Sequence, residues 1–166
     1  MPEDHIDAVA DALLDASRAL VAVAARSLAD VDEVTLPQFR ALVVLTRPDP
    51  VTVGDLAAAL ALHPSTATRM CDRLERKQLL RRNWGVSTDR RETTVTLTAR
   101  GRRLVERVTE RRRHDLAAIA ASIPPAQRGH VIRALTTFAE AAAELPGVDP
   151  FGWAGPASVL ERSAND

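Results

Sequence analysis

The chain has 166 residues, enough for one domain with a real core, or for a small domain plus a dimerisation element. Hydrophobic residues make up 46%, charged residues 27% and aromatics 3%, which excludes a disordered chain and favours a mainly helical fold rich in Ala, Leu and Arg. No apolar run is long enough to span a bilayer, the opening MPEDHID lacks the basic and apolar parts of a secretion signal, and the single cysteine, Cys71, excludes an internal disulfide framework, so a cytoplasmic location is expected.

Apolar residues at Ile6, Val9, Ala10, Leu13, Ala16, Leu20 and Val23 recur at helical spacing and predict a helix over 4–30. Leu14, Ala19 and Val21 widen that stripe beyond what one small domain covers, which points to a partner. Thr35-Leu36-Pro37 opens a second helix, with proline in the first turn where a missing N–H is harmless. Arg47-Pro48-Asp49-Pro50 stops it, and Val51 reads as a short strand. Thr52 caps a helix over 53–60 that turns Leu56, Ala57 and Leu60 to the core. Ala61-Leu62-His63 is a turn, with His63 as a weak cap, and Pro64 begins a helix that ends near Lys77. Leu79–Trp84 and Thr93–Leu97 read as the strands of a hairpin. Thr98 caps a long helix over about 99–122, Pro124-Pro125 breaks it, and a last helix runs over 125–144 with Val131, Ile132, Leu135 and Phe138 apolar.

The expected fold is therefore mainly α with a small β-hairpin wing. A winged helix-turn-helix spans 35–98, dimerisation helices flank it at 5–34 and 99–145, and 146–166 is an irregular tail. A short helix, a tight turn, a helix with a polar face and an Arg-flanked hairpin form a device for placing one helix in the DNA major groove.

Net charge is zero, but its distribution is uneven. Residues 1–62 hold 4 basic and 10 acidic groups, residues 63–113 hold 15 and 6, and residues 114–166 hold 3 and 6. The basic middle coincides with the helix-turn-helix, and all but one of its cations are Arg, whose fork suits phosphate and guanine. In the helix that starts at Pro64, residues Ala67, Met70, Cys71 and Leu74 fall on one face, and Ser65, Thr66, Thr68, Arg69, Asp72 and Arg73 on the other. Arg69 can fork onto guanine O6/N7, the hydroxyls can reach bases or phosphates, and the helix N-terminus favours a phosphate. Arg82 on the first hairpin strand and Arg90 and Arg91 near the tip extend the basic surface, and Asp89 reads as their brace.

Thr35-Leu36-Pro37-Gln38-Phe39, Thr52 to Ala57, Pro64-Ser65-Thr66 with Thr68-Arg69, Asp72 to Glu75, and Asp89-Arg90-Arg91 followed by Leu97-Thr98 resemble the MarR family of bacterial transcriptional regulators over about residues 10–145. The resemblance implies a homodimer built from the terminal helices and a double-stranded DNA operator as partner. It places the recognition helix in the major groove and Arg91 in the minor groove, supported by Asp89. It further implies repression relieved by a small-molecule effector held in a crevice between helix 7–30, the Phe39 helix and the long helix near His114. Activation, effector-independent regulation and a helical protein-interaction module without DNA are the alternatives. Two residues depart from the family pattern: Gln78 where Gly is common at the recognition-helix end, and Trp84 in the wing, expected to pack beneath it.

No catalytic set, metal-ligand spacing or cofactor loop is visible, so the expected enzyme activity, metal and cofactor are none. Cys71 reads as a core residue, with oxidant sensing as the lesser alternative.

Overall fold

Each helix of the central region begins at a residue that can cap it. The computed structural model describes residues 3–29, 31, 33–84 and 93–143. Thr35 precedes α2 (Leu36–Val44), and its hydroxyl accepts from the Gln38 N–H while the Gln38 side chain accepts from the Thr35 N–H. Thr52 and Asp55 form the same reciprocal box at the start of α3 (Val53–Ala59). Each box satisfies N–H groups that a helix start leaves without a backbone partner. His63 caps α4 (Pro64–Arg76) through Nδ1, which accepts from the Ser65 N–H at 3.3 Å. Thr98 caps α5 (Ala99–Ala121).

The element order is α1 (Glu3–Leu28), α2, β1 (Val51–Thr52), α3, α4, β2 (Leu80–Trp84), β3 (Thr93–Leu97), α5 and α6 (Pro125–Ala143). This is the expected mainly helical fold, with one enlargement. The hairpin strands β2 and β3 pair antiparallel, and β1 joins β3 with Val51 opposite Val95, so the wing is a three-stranded sheet in the order β1-β3-β2. The strand anchors the N-terminus of α3 to the wing.

The core lies among α2, α3, α4, the sheet and the first half of α5. Leu42, Leu56, Leu74 and Leu79 are completely buried, with Leu80, Val95 and Leu104 nearly so. The C-terminal half of α1 joins through Val23, Ala24 and Ser27, and Arg26 pairs with Asp115 of α5 at 3.1 Å. Leu28 packs against the same core, whereas Ile6, Val9, Leu14, Leu20 and Val21 of α1 are exposed among the described residues, and α6 buries none of its residues.

The turns that fold α3 and α4 onto the core use the same device. After α3, Ala61 adopts φ 52°, its N–H donates to the Ala58 carbonyl and the Leu62 N–H to the Ala57 carbonyl. After α4, Gln78 adopts φ 58°, its N–H donates to Glu75 and the Leu79 N–H to Leu74. These are Schellman endings, in which a left-handed residue lets two late carbonyls find donors. Gln78 thus takes the left-handed position that glycine would occupy without strain. The buried pair Leu74 and Leu79 supplies the apolar contact that closes the motif.

Gly101 fastens α5 to this turn. A Cβ there would lie 2.0 Å from the Leu79 carbonyl oxygen. Thr98 reinforces the junction, its N–H donating to that same carbonyl and its hydroxyl to the Gln78 carbonyl. No helix among the described residues is long and apolar enough to cross a membrane.

Candidate nucleic-acid interface

The helix expected to read DNA is α4. Its apolar face buries Ala67, Met70, Cys71 and Leu74, as the spacing predicts, and this burial turns the opposite face outward. Pro64, Ser65, Thr68, Arg69 and Arg73 are exposed, and Thr66 is half-buried at the first turn. The polar side chains are held by their own helix: the Thr68 hydroxyl donates to the Pro64 carbonyl, and Arg69 Nε to the Ser65 carbonyl at 3.3 Å. Arg69 therefore stands along the helix toward its N-terminus with its terminal nitrogens beyond that contact. A row of hydroxyls and guanidinium groups beside a helix N-terminus suits phosphate oxygens and guanine edges.

Arg82 occupies a different place from the one expected of a groove contact. Its side chain is only 18% exposed and lies between two carboxylates of α4. Nη2 donates to Asp72 Oδ1 at 2.6 Å and Nη1 to Glu75 Oε2 at 2.8 Å, while its backbone N–H donates to Glu75 Oε1 at 3.2 Å. The two carboxylates raise its affinity for the proton above the ordinary guanidinium value against the opposing effect of burial. Arg81, the next residue on β2, is the exposed one, and its Nε donates to Thr96 Oγ1. This ion-pair network was not legible from the chain pattern; Asp72 and Glu75 three residues apart, with an Arg shortly after, are its only trace in sequence.

A second link missed by sequence reasoning holds the far end of α4. Lys77 Nζ donates to the Glu33 carbonyl and to Gln38 Oε1. The Glu33 carboxylate accepts in turn from Arg100 of α5 at 2.7 Å. The recognition helix is thereby tied to the α1–α2 connection and to α5.

Asp89, Arg90 and Arg91, the wing tip around them, the Trp84 side chain and the tail lie outside the described residues. Cys71 is completely buried, and burial pushes its thiol above the ordinary value. A protonated, inaccessible thiol is a poor target for oxidants, which favours its core role.

A cleft of about 700 Å³ opens between α2 and α5. Phe39, Val43, Val105, Val108 and Leu116 form its apolar wall, and Arg102, Arg112, Arg113, Glu106 and Glu110 line the rest. It occupies part of the expected crevice, but α1 and His114 contribute nothing to its lining. The C-terminal half of α1 packs on α5, where Arg26 pairs with Asp115. Among the described residues no group of three His, Cys, Asp or Glu side chains converges as a metal site.

The MarR family profile matches residues 34–93, from the end of the α1–α2 connection to the start of β3. RV1404 from Mycobacterium tuberculosis is 46% identical over 84% of this chain and 95% of that chain, with a TM-score of 0.75. A MarR family protein from Bacillus stearothermophilus is 28% identical over 87% of this chain and 99% of that one, with a TM-score of 0.76. A mutant of Staphylococcus aureus MepR bound to an oligodeoxyribonucleotide is 23% identical over 80% of this chain and 96% of that one, with a TM-score of 0.60, a likeness of fold. MepR has also been solved bound to ethidium bromide. Among proteins of curated function no match is found.

Proposed function

This chain belongs to the MarR family of DNA-binding, non-enzymatic transcriptional regulators, and we propose that it acts as a cytoplasmic homodimeric repressor released from a palindromic operator by a small-molecule effector. The observation that carries the DNA-reading part is the exposed polar face of α4, projected outward by a buried apolar face. Arg69 reads bases in the major groove. Pro64, Ser65, Thr66, Thr68 and Arg73 approach phosphates or base edges, and Arg90 and Arg91, braced by Asp89, reach the adjacent minor groove. Two symmetric copies then require half-sites roughly 10 bp apart, because both recognition helices must enter successive major grooves on one side of the duplex.

The dimer is supported by the uncovered apolar residues of α1 and α6, which include Ile6, Leu14, Ile132 and Phe138. The release step is supported by the cleft between α2 and α5, whose apolar wall suits a flat, apolar molecule and whose rim carries Arg102, Arg112 and Arg113 beside Glu106 and Glu110. The ethidium complex of MepR shows a relative of the same fold holding a small molecule. A ligand there pushes on α2 and α5, which hold the recognition helix through Gln38, Glu33 and Arg100.

Fluorescence anisotropy tests the reading, with a labelled duplex from the sequence upstream of the protein's own coding region against a scrambled duplex, over a salt series. Tight, sequence-dependent binding that weakens steeply with salt is expected. Arg69→Ala reduces discrimination by about 1–3 kcal/mol if its fork contacts a guanine. Equal affinity for both duplexes at every salt concentration refutes operator reading and returns the protein to the interaction-module alternative.

A further inference from the structure

Strand β2 alternates its side chains. Leu80 and Arg82 turn toward α4, while Arg81 and Asn83 turn the other way and both donate to Thr96 Oγ1. Arg82 is therefore directed at the recognition helix by the pleat itself. What it meets there are Asp72 and Glu75, one helical turn apart on the flank of α4 beside the wing. Each carboxylate falls within 3 Å of the Arg82 guanidinium, at 2.6 and 2.8 Å. A further contact runs from Nη2 to the Thr68 carbonyl at 3.5 Å.

Apolar packing does not set the angle between wing and helix at this end. An open cleft of about 540 Å³ lies here between α3, α4 and the wing strands, with Thr68, Asp72, Arg82 and Thr93 on its walls. The ion pairs bridge from strand to helix beside that gap.

We infer that Arg82 is a positioning residue and not a groove contact: it locks the wing at a fixed angle to α4 through the two carboxylates on the flank of that helix. The functional half of this inference rests on the DNA-reading role proposed above. Removing Arg82 leaves two partly buried carboxylates uncompensated, which is more damaging than removing the whole ion-pair set. Removing a phosphate contact instead has a different signature, because the counterions that the contact released no longer contribute.

The full-length protein is compared with Arg82→Gln, Arg82→Lys, Asp72→Asn and the double variant Arg82→Gln/Asp72→Asn. The probes are the upstream and scrambled duplexes over a salt series, together with amide hydrogen exchange of the free protein. Arg82→Gln is expected to bind at least tenfold more weakly to both duplexes, with the slope of log K against log salt unchanged. Asp72→Asn in that background recovers most of the loss, and amides of β2 and β3 exchange at least tenfold faster in Arg82→Gln. Arg82→Lys, which keeps the charge on a single-point donor, falls between and decides the matter where Arg82→Gln does not fold. A slope shallower by about 1.8, one contact of about 0.9 from each of two copies, with no recovery from Asp72→Asn, overturns the inference. Unchanged affinity in Arg82→Gln also overturns it. Failure of the unaltered protein to bind either duplex refutes the DNA reading alone; exchange then decides the lock, and unchanged β2 and β3 protection removes it.

Discussion

The central region from Val34 to Val108 and the terminal helices are both apolar, yet they treat that apolarity in opposite ways. In the centre, Leu42, Leu56, Leu74 and Leu79 are completely buried, and every helix start finds a cap. In α1 and α6, Ile6 is 69% exposed and Ile132 65%, and Phe138 remains half in solvent. The centre is a core satisfied within one chain. The ends carry an apolar face that no sheet or helix among the described residues covers. Stability of the central region and the proposed assembly through the ends are therefore governed by separate residues, and substitutions can address one at a time.

The sharpest test of the centre is Gly101→Ala. Helix propensity alone favours alanine by about 1 kcal/mol, but its Cβ would sit 2.0 Å from the Leu79 carbonyl oxygen, a backbone atom that cannot step aside. A loss of about 3 kcal/mol in urea unfolding is expected. A stabilised variant shows that α5 is not held against the α4 turn as described.

At the ends, Phe138→Asp places a charge on the uncovered face of α6. Sedimentation is expected to show the dimer dissociating about 30-fold more readily or worse, equivalent to about 2 kcal/mol at a buried aromatic anchor. Far-UV circular dichroism of the resulting monomer keeps its helical signal, since the centre does not depend on that face. An unchanged dimer removes α6 from the interface and collapses the contrast between the two regions.

Gln78→Gly returns to the centre with the opposite sign. The left-handed φ of 58° strains glutamine and not glycine, so a gain of about 1 kcal/mol is expected from thermal unfolding. A loss shows that the glutamine side chain contributes more than its backbone geometry takes away.

The smallest effect is a pH dependence at the start of α3. The backbone N–H and hydroxyl of Thr52 hold the Asp55 carboxyl below its ordinary value of 3.8. A depressed carboxyl stabilises the fold above its unfolded value, and this contribution disappears as the pH falls from about 4 through the lower folded value. Because Asp55 is exposed, solvent screens the effect. Comparing the acid limb of unfolding in Asp55→Asn with that of the unaltered protein isolates it; identical limbs exclude any contribution from the box.

Much of this was legible in the chain. The capping residues Thr35, Thr52 and Thr98 announce three helices because a hydroxyl can accept an N–H only two or three residues on. The face containing Ala67, Met70, Cys71 and Leu74 could be read from spacing alone, and with it the outward direction of Ser65, Thr68 and Arg69. The role of Arg82 could not. In sequence it is one arginine among many in a basic stretch, indistinguishable from its exposed neighbour Arg81. The pairing of β1 with β3, the tether from Lys77 to Glu33 and the closeness of Gly101 to Leu79 were equally hidden, because each joins residues far apart along the chain.

Sequence by itself determined the elements, their caps, the buried face of the recognition helix and the family resemblance. These depend on interactions among residues a few positions apart, where covalent geometry already constrains distance. Only the tertiary structure decided which cations face outward and which are consumed internally, and which apolar faces this chain covers and which it leaves open. A charge acquires its role from the groups within a few ångströms of it, and an apolar face from what lies across it. Both are properties of folded space.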